Sequence, residues 1–515
     1  MKFPVLMAAA TALATAGLLA GPVTAQDKNV FTYAWSLDVE DWDPAHAASS
    51  EPAVLYNIYE PLVWWDAEAD GGYRPGLAES WSVDDSGLIW TFNLRDGVSF
   101  HDGSPLTAEA VKTSFERSMA SDATSYTWGG VTEIKAVDDL TVEIHTEAPT
   151  AVLVAVSGTV GSFIAAPSAS AQGESWFREG NAVGTGPYKL RLAKAGQQIV
   201  LDRFEDYWGG WENDGREIDR AVFRIVTEAS TRVQMLTGGE ADMVEDVPRD
   251  QIASLADNPD LDVFELPTYQ SVFWYMNHQK APTNNKMVRQ AIQHLWDRAS
   301  IASGIYSGQS TPATSTVWSN YPGSQQFDLP EFDIEKARGL IEASGVAQDD
   351  LKLSVAYISS FEEWKNICVL FQANASQVGI EVECIPGEFG TIWEQAQNLE
   401  SSFNMFGIIW WPDRMTLAGP MYLQYHSGEQ MFNLGHYANP AYDSAVEAAI
   451  GLEGSDPDAA MASFQTAQGI LVDDAAAVWD QEISAMVVLN SKWEGLTHNP
   501  GYNRWYSLRD LRLKQ

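Results

Sequence analysis

The chain has 515 residues, 45% of them hydrophobic, with 70 acidic residues against 31 basic ones, a formal charge of −39, and two cysteines. So acidic a molecule repels nucleic-acid phosphates and anionic lipid, and neither is expected as a partner; two cysteines exclude a disulfide-dense scaffold and a four-cysteine metal site. At about 150 residues per domain, the length leaves room for two to four domains whose stability must come from packed cores.

The first elements are those of an export signal: Met1 and Lys2, an apolar stretch from Val5 to Ala20, Gly21-Pro22, and the small-x-small end Val23-Thr24-Ala25. A cleavage site after Ala25 is predicted, and the apolar stretch is too short to span a bilayer comfortably. No cysteine follows the site to carry a lipid, so the mature protein is expected free in the bacterial periplasm. No later window offers about eighteen uninterrupted apolar residues.

Val30 to Trp35 reads as a strand and Pro52 to Tyr59 as a helix, with Val54, Leu55, Ile58 and Tyr59 at helical spacing. From Trp81 to Leu94 apolar and polar residues alternate around Asp84-Asp85-Ser86-Gly87, the pattern of a half-buried strand pair. Thr107 is the expected cap of a helix through Val111, Phe115 and Met119, and a strand follows at Leu140 to His145. Beyond Gly184-Thr185-Gly186-Pro187-Tyr188 come strands at Gln198 to Phe204 and Arg220 to Val226, then a helix from Ser230 to Gly238.

Leu266 to Asn277 is aromatic-rich and extended, and reads as a crossover between halves. Lys286 to Asp297 is a predicted helix burying Met287, Val288, Ala291, Ile292, Leu295 and Trp296. Leu351 to Tyr357, Glu362 to Val378 and Ile380 to Ile385 then alternate strand, helix and strand, which argues for a mostly parallel sheet; another helix covers Ala459 to Asp473. Cys368 falls in the middle of that second helix and Cys384 on the strand after it. A helix axis packs about 10 Å from a sheet whereas bonded Cα atoms sit nearer about 5.5 Å, so two buried thiols are expected. Two α/β bodies joined by extended crossovers make a cleft, where ligand sites concentrate.

Arg74-Pro75-Gly76-Leu77-Ala78-Glu79-Ser80-Trp81, followed by Trp90-Thr91-Phe92-Asn93-Leu94-Arg95-Asp96-Gly97-Val98-Ser99-Phe100-His101-Asp102-Gly103, resembles the signature of the family 5 extracellular solute-binding proteins, the peptide, opine, nickel and oligosaccharide receptors of ABC importers. The resemblance continues at Trp42-Asp43-Pro44, Gly184 to Tyr188, Gly239-Glu240-Ala241-Asp242, and Met287 to Ala291 with Asp297-Arg298. It implies an α/β periplasmic binding protein fold of the large, three-subdomain type, with two lobes and a cleft between them that closes by a hinge motion. The expected parts are a signal peptide over 1–25 and a first lobe over 26–268, with an inserted subdomain at about 67–185. A second lobe over 269–484 and a C-terminal segment over 485–515 returning to the first lobe complete the chain. The implied function is capture of a small polar solute, a short peptide first, by a monomer that needs no cofactor and delivers it to a membrane permease.

In peptide-binding relatives a Trp-x-x-Asp stretch offers a carboxylate to the ligand's amino group, and Trp410-Trp411-Pro412-Asp413 matches it. A carboxylate walled by indoles attracts an ammonium by charge and by its ring faces. The same residues also fit the end of a buried strand, with Asp413 a turn residue. The resemblance adds Tyr269, Phe273, Trp274 and Tyr275 as cleft positions, of which alternation favours Tyr269 and Tyr275, and Ser50 on the loop Ala48-Ser49-Ser50. Dipeptide receptors clamp the ligand carboxylate with an arginine where this chain has Phe361-Glu362-Glu363-Trp364. That departure weakens a simple dipeptide and favours a longer peptide, a sugar-like compound or a cationic solute; a receptor for an oligosaccharide, an opine or a cationic solute is the alternative within the family.

An enzyme finds no support: there is no His-Glu-x-x-His, no Gly-x-Ser-x-Gly and no Walker loop. Asp38, Asp41, Asp43 and His46, like His101-Asp102, imitate metal ligands but coincide with turn chemistry. A periplasmic chaperone or interaction protein is the alternative of a different class, and an open apolar channel in place of a closed polar cavity would favour it.

Overall fold

The computed structural model describes residues 29–47, 52–158, 161–412, 414–502 and 504–515. The predicted leader therefore lies outside the described residues. Among the described residues no helix is long and apolar enough to cross a membrane.

One continuous sheet of 11 strands runs through the molecule. Its spine is a pair of long antiparallel strands, Leu261–Met276 and Ala477–Asn490. Sixteen residues at about 3.3 Å each span roughly 50 Å, enough to serve two bodies in turn. At one end the spine is flanked by Met243–Glu245, Val30–Trp35, Arg220–Ile225, Gln198–Arg203 and Tyr188–Lys194, in that order. At the other it is flanked by Met405–Trp410, Lys352–Ile358 and Glu381–Gly387. Register breaks between Leu266 and Gln270 and again between Val272 and Phe273, so the spine is weakest between its two halves.

The sheet is less parallel than the β-α-β alternation suggests. Val30–Trp35 and Lys352–Ile358 each run parallel to both neighbours, but Met405–Trp410 and the spine pair antiparallel. One long strand leaves the first body and the other returns, so the two must run in opposite directions; periodicity along the chain carries no such information. The strand Ala477–Asn490 escapes a reading by apolar pattern because Asp480 and Gln481, both fully buried, interrupt it. The helices Ala418–Tyr425 and Pro440–Leu452 also escape it.

A separate antiparallel sheet orders Ala78–Val83, Ile89–Leu94, Thr141–Thr146 and Val131–Ala136. The Asp84 carboxylate closes its first turn, accepting from Ser86 Oγ at 2.7 Å and from the Leu88 and Ile89 amides at 3.0 Å. Gly87 there takes a φ of 73°, which favours glycine. The helix Ala108–Ala120 begins at Thr107, whose hydroxyl accepts from the Ala110 amide at 3.3 Å.

The sequence motifs meet one another in space. The Gly184 amide donates to His101 Nδ1 at 3.3 Å, and Nε2 lies 2.9 Å from the Gly186 carbonyl, which assigns the proton to Nε2. Burial lowers the His101 pKa to about 4, against the Gly186 bond, so the ring is a neutral structural tie. A Cβ on Gly184 would lie 2.1 Å from the Ile58 carbonyl oxygen, and one on Gly186 2.7 Å from that of Asn57, so close backbone approach requires both glycines. Asp41 and Asp43 accept from the Asp43 and Ala45 amides at 2.9 and 3.0 Å, turn bonds of the kind expected there.

Two expectations change. Met287 is 42% exposed, while Val288, Ala291, Ile292, Leu295 and Trp296 are buried, because Met287 stands at the margin of the helix arc that faces the sheet. Cys368, on Glu362–Ser376, and Cys384, on Glu381–Gly387, form a disulfide with Cα atoms 6.0 Å apart, in place of two thiols. The spacing of about 10 Å runs from helix axis to sheet plane; the helix radius of about 2.3 Å narrows it at a residue that faces the strand, and the helix packs closer than that spacing here.

Candidate functional site

The two bodies meet on the spine at its register break. Thr268, Tyr269 and Gln270 from the first spine strand face Trp411 and Pro412 from one body, and His498, Tyr502 and Arg504 from the C-terminal segment of the other. The cavity they line has room for about one water molecule, so the bodies are closed on each other. Tyr269 is 8% exposed. Its ring lies 6.0 Å from Trp65 of the first body, and 6.2 and 5.1 Å from Trp318 and Tyr321 of the second.

The polar groups of this cavity are mostly committed. Arg504 pairs with Glu245 at 2.5 Å and Asp246 at 3.0 Å, and Tyr506 donates to Glu245 at 3.2 Å. Burial works against the Arg504 charge, but Asp246 and Glu245 outweigh it and raise its pKa. His498 Nε2 lies 2.7 Å from the carbonyl of Pro267, within the register break, and Nδ1 3.4 Å from that of Trp505. Burial lowers the His498 pKa against those two carbonyls. As a neutral ring with one N–H, it donates over the shorter distance and tethers the C-terminal segment to the break.

The sequence candidates scatter. Tyr269 and Trp411 come together on the cavity. Trp410 instead packs edge-on against Phe432 at 5.4 Å. Tyr275 does not join Tyr269 and Trp411 on the cavity: it is 1% exposed and its hydroxyl donates to the Phe432 carbonyl at 2.9 Å. Alternation fails to relate Tyr269 to Tyr275 because Tyr269 lies inside the first register break, between Leu266 and Gln270. Ser50 and Asp413 lie outside the described residues. His498, Tyr502 and Arg504 went unforeseen, although the run Asn499-Pro500-Gly501-Tyr502 was the signal available.

At the position where the resemblance gives dipeptide receptors an arginine, Glu363 lies 3.5 Å from Arg249 Nε of the first body. Arg249 also donates to the Gln309 side chain at 3.2 Å and stands 4.7 Å over the Tyr306 ring. The reversed charge thus serves the contact between bodies. Two more contacts cross the junction: Arg414 lies 5.5 Å over Tyr126, and a Cβ on Gly454 would fall 2.4 Å from Pro149 C and Thr150 N.

Comparison with known proteins accords with this geometry. Residues 72–432 match the family described as bacterial extracellular solute-binding proteins, family 5 Middle. The probable D,D-dipeptide-binding periplasmic protein DdpA of Escherichia coli (strain K12) is 27% identical over 502 residues, 94% of each chain. The glutathione-binding protein GsiB of Salmonella typhimurium is 26% identical over 430 residues, 81% of this chain and 82% of its own. The structure of the ABC transporter-associated periplasmic binding protein DppA from Helicobacter pylori, in complex with peptide STSA, superposes with a TM-score of 0.78 at 24% identity, covering 94% of this chain and 98% of that one. The fold is therefore the two-lobe α/β fold of periplasmic binding proteins, with the cavity between lobes.

Proposed function

The chain belongs to the bacterial extracellular solute-binding proteins of family 5, and we propose that it is the periplasmic receptor of an ABC importer, closing its lobes on a short peptide. The observation that carries this reading is the interlobe cavity at the spine's register break, with Tyr269 and Trp411 as aromatic walls. Both lobes supply walls to this junction, so a solute held by both favours their approach, and the one-water space between them must widen to admit it. Hinge motion at the break around Pro267 gives the solute its entry and the closed form its signature for a permease. The aromatic walls and committed polar groups suit binding without a catalytic step.

The peptide assignment draws on the relatives, which are named for dipeptide and glutathione binding. Cleavage after Ala25, action as a monomer, and lobes over 26–268 with 485–515 and over 269–484 belong to the same reading. In it Asp413 and Ser50 remain ligand contacts. The test is mass spectrometry of ligand released from protein purified from the periplasm and denatured, paired with a thermal-shift screen of peptides, sugars, opines and polyamines. Ligand at 100 times its Kd adds about 2.7 kcal/mol of stability. Co-purified peptide and a shift with peptides are expected; a shift with sugars or polyamines alone would keep a receptor and remove the peptide.

A further inference from the structure

We propose that closing the lobes draws a proton from solvent onto Glu453, so that solute binding tightens as the medium turns acid. The inference rests on the reading of two lobes that close on a solute. Glu453 caps the C-terminal end of the helix Pro440–Leu452, in the second lobe. The next residue, Gly454, is pressed on the first lobe: a Cβ there would lie 2.4 Å from Pro149 C and Thr150 N. Across the same contact stands Tyr73, on the strand Tyr73–Pro75; burial raises its pKa, and the Glu453 charge raises it further. The Glu453 carboxyl therefore sits where the second lobe meets the inserted subdomain, and separation of the lobes returns it to water.

Two groups of its own lobe hold it. The Thr416 hydroxyl, which accepts from the Ala418 amide at 3.2 Å, donates its own proton to Glu453 Oε1. Arg414 is the cation that faces it, but that guanidinium lies against the Tyr126 ring of the first lobe at 5.5 Å. Arg74, beside Tyr73, is turned to Asp66 at 3.3 Å. Burial outweighs the Thr416 bond and the Arg414 charge and raises the pKa of Glu453 above its ordinary 4.5: taking the ionised carboxyl out of water costs more than these partners return. In the open form the carboxyl is solvated and titrates near its ordinary value. The closed form thus holds the proton more tightly, and its advantage is complete below the open-form pKa and lost as pH rises through the closed-form one. Asp480 and Glu60, also raised by burial, keep partners of their own lobe, Trp274 in one case and Trp208 in the other, and titrate alike in both forms.

The experiment measures affinity and proton uptake by calorimetry, from about pH 8 down to about pH 5, for wild type, Glu453→Gln and Thr416→Val. The probes are Ser-Thr-Ser-Ala, D-alanyl-D-alanine and glutathione, in buffers of different ionisation enthalpy. Wild type is expected to gain about three- to tenfold in affinity toward acid and to take up a fraction of a proton on binding. Glu453→Gln should bind at about pH 8 as tightly as wild type does at about pH 5 and keep only the pH dependence of the probe's own groups. Thr416→Val, which loses the bond to the ionised carboxyl, should carry the gain to higher pH. Where a probe binds, equal pH profiles and equal proton uptake for wild type and Glu453→Gln overturn the proposal. Where none binds, the peptide reading falls and small-angle scattering of the unliganded proteins decides the proton link: wild type should grow more compact toward acid while Glu453→Gln keeps one profile, and the same response in both overturns it.

Discussion

Adjacent tryptophans leave one strand for different surroundings, Trp410 against Phe432 and Trp411 on the interlobe cavity. Trp411→Ala should therefore weaken solute binding by about tenfold, whereas Trp410→Ala, at a partly buried site, should lower stability by about 1–2 kcal/mol and leave affinity nearly intact. Tyr275→Phe removes a buried bond and should cost about 1 kcal/mol of stability with no change in affinity; calorimetry and urea melts on the three variants separate these outcomes. Asp480 belongs to the same scale. Burial raises its pKa from 3.8 to about 6, against Gln481, Arg298 and Trp274, the last donating at 3.2 Å. A carboxyl group bound more tightly to its proton when folded stabilises the fold fully below its unfolded pKa, and that contribution is lost as pH rises through the folded one. Wild type should lose up to about 3 kcal/mol between pH 4 and 6 relative to Asp480→Asn. Parallel pH profiles of urea stability for the two proteins would refute the assignment.

At the scale of elements, the motifs that carry the family resemblance are ties between segments. His101 joins the Phe100-His101-Asp102 turn to Gly184 and Gly186. The Asp242 carboxylate accepts from the Thr32 amide at 2.8 Å, and Arg289 donates to the Thr283 and Asp474 carbonyls at 2.9 and 2.8 Å. These residues were legible because buried polar groups with several fixed partners tolerate little change, whereas cleft side chains answer to the solute. The disulfide is a tie of another kind: it links the helix Glu362–Ser376 to the edge strand Glu381–Gly387 across 16 residues of sequence. Cys368→Ser with Cys384→Ser should lower stability by roughly 3 kcal/mol, with affinity unchanged. A melting temperature indifferent to both the double variant and a reductant would show that the bond does not hold the element.

For the whole molecule the decisive event is closure, and Gly454 measures it. With a Cβ 2.4 Å from Pro149 C and Thr150 N, relief requires the turn at Gly454 and the Pro149-Thr150 loop to move apart. Gly454→Val should weaken solute binding several-fold without touching the solute, since the closed form alone is disfavoured. Small-angle scattering with saturating solute should show a more extended molecule than wild type, while the melting temperature of the unliganded protein stays close. Equal scattering profiles for the two liganded proteins would remove Gly454 from closure.

The sequence by itself determined the class of the molecule: strands and helices with local periodicity, turns with fixed residues, and motifs spaced in a family's order. Local pattern suffices for these because each is decided within a few residues. Only the tertiary structure decided which residues share the cleft. Tyr269, Trp411 and the His498–Arg504 segment are far apart in the chain and meet because two antiparallel spine strands pass between the lobes and lose register together. The return of the C-terminal segment, the pairing of Cys368 with Cys384, and the different positions of Arg414 and Arg504 likewise depend on separations that no local pattern encodes.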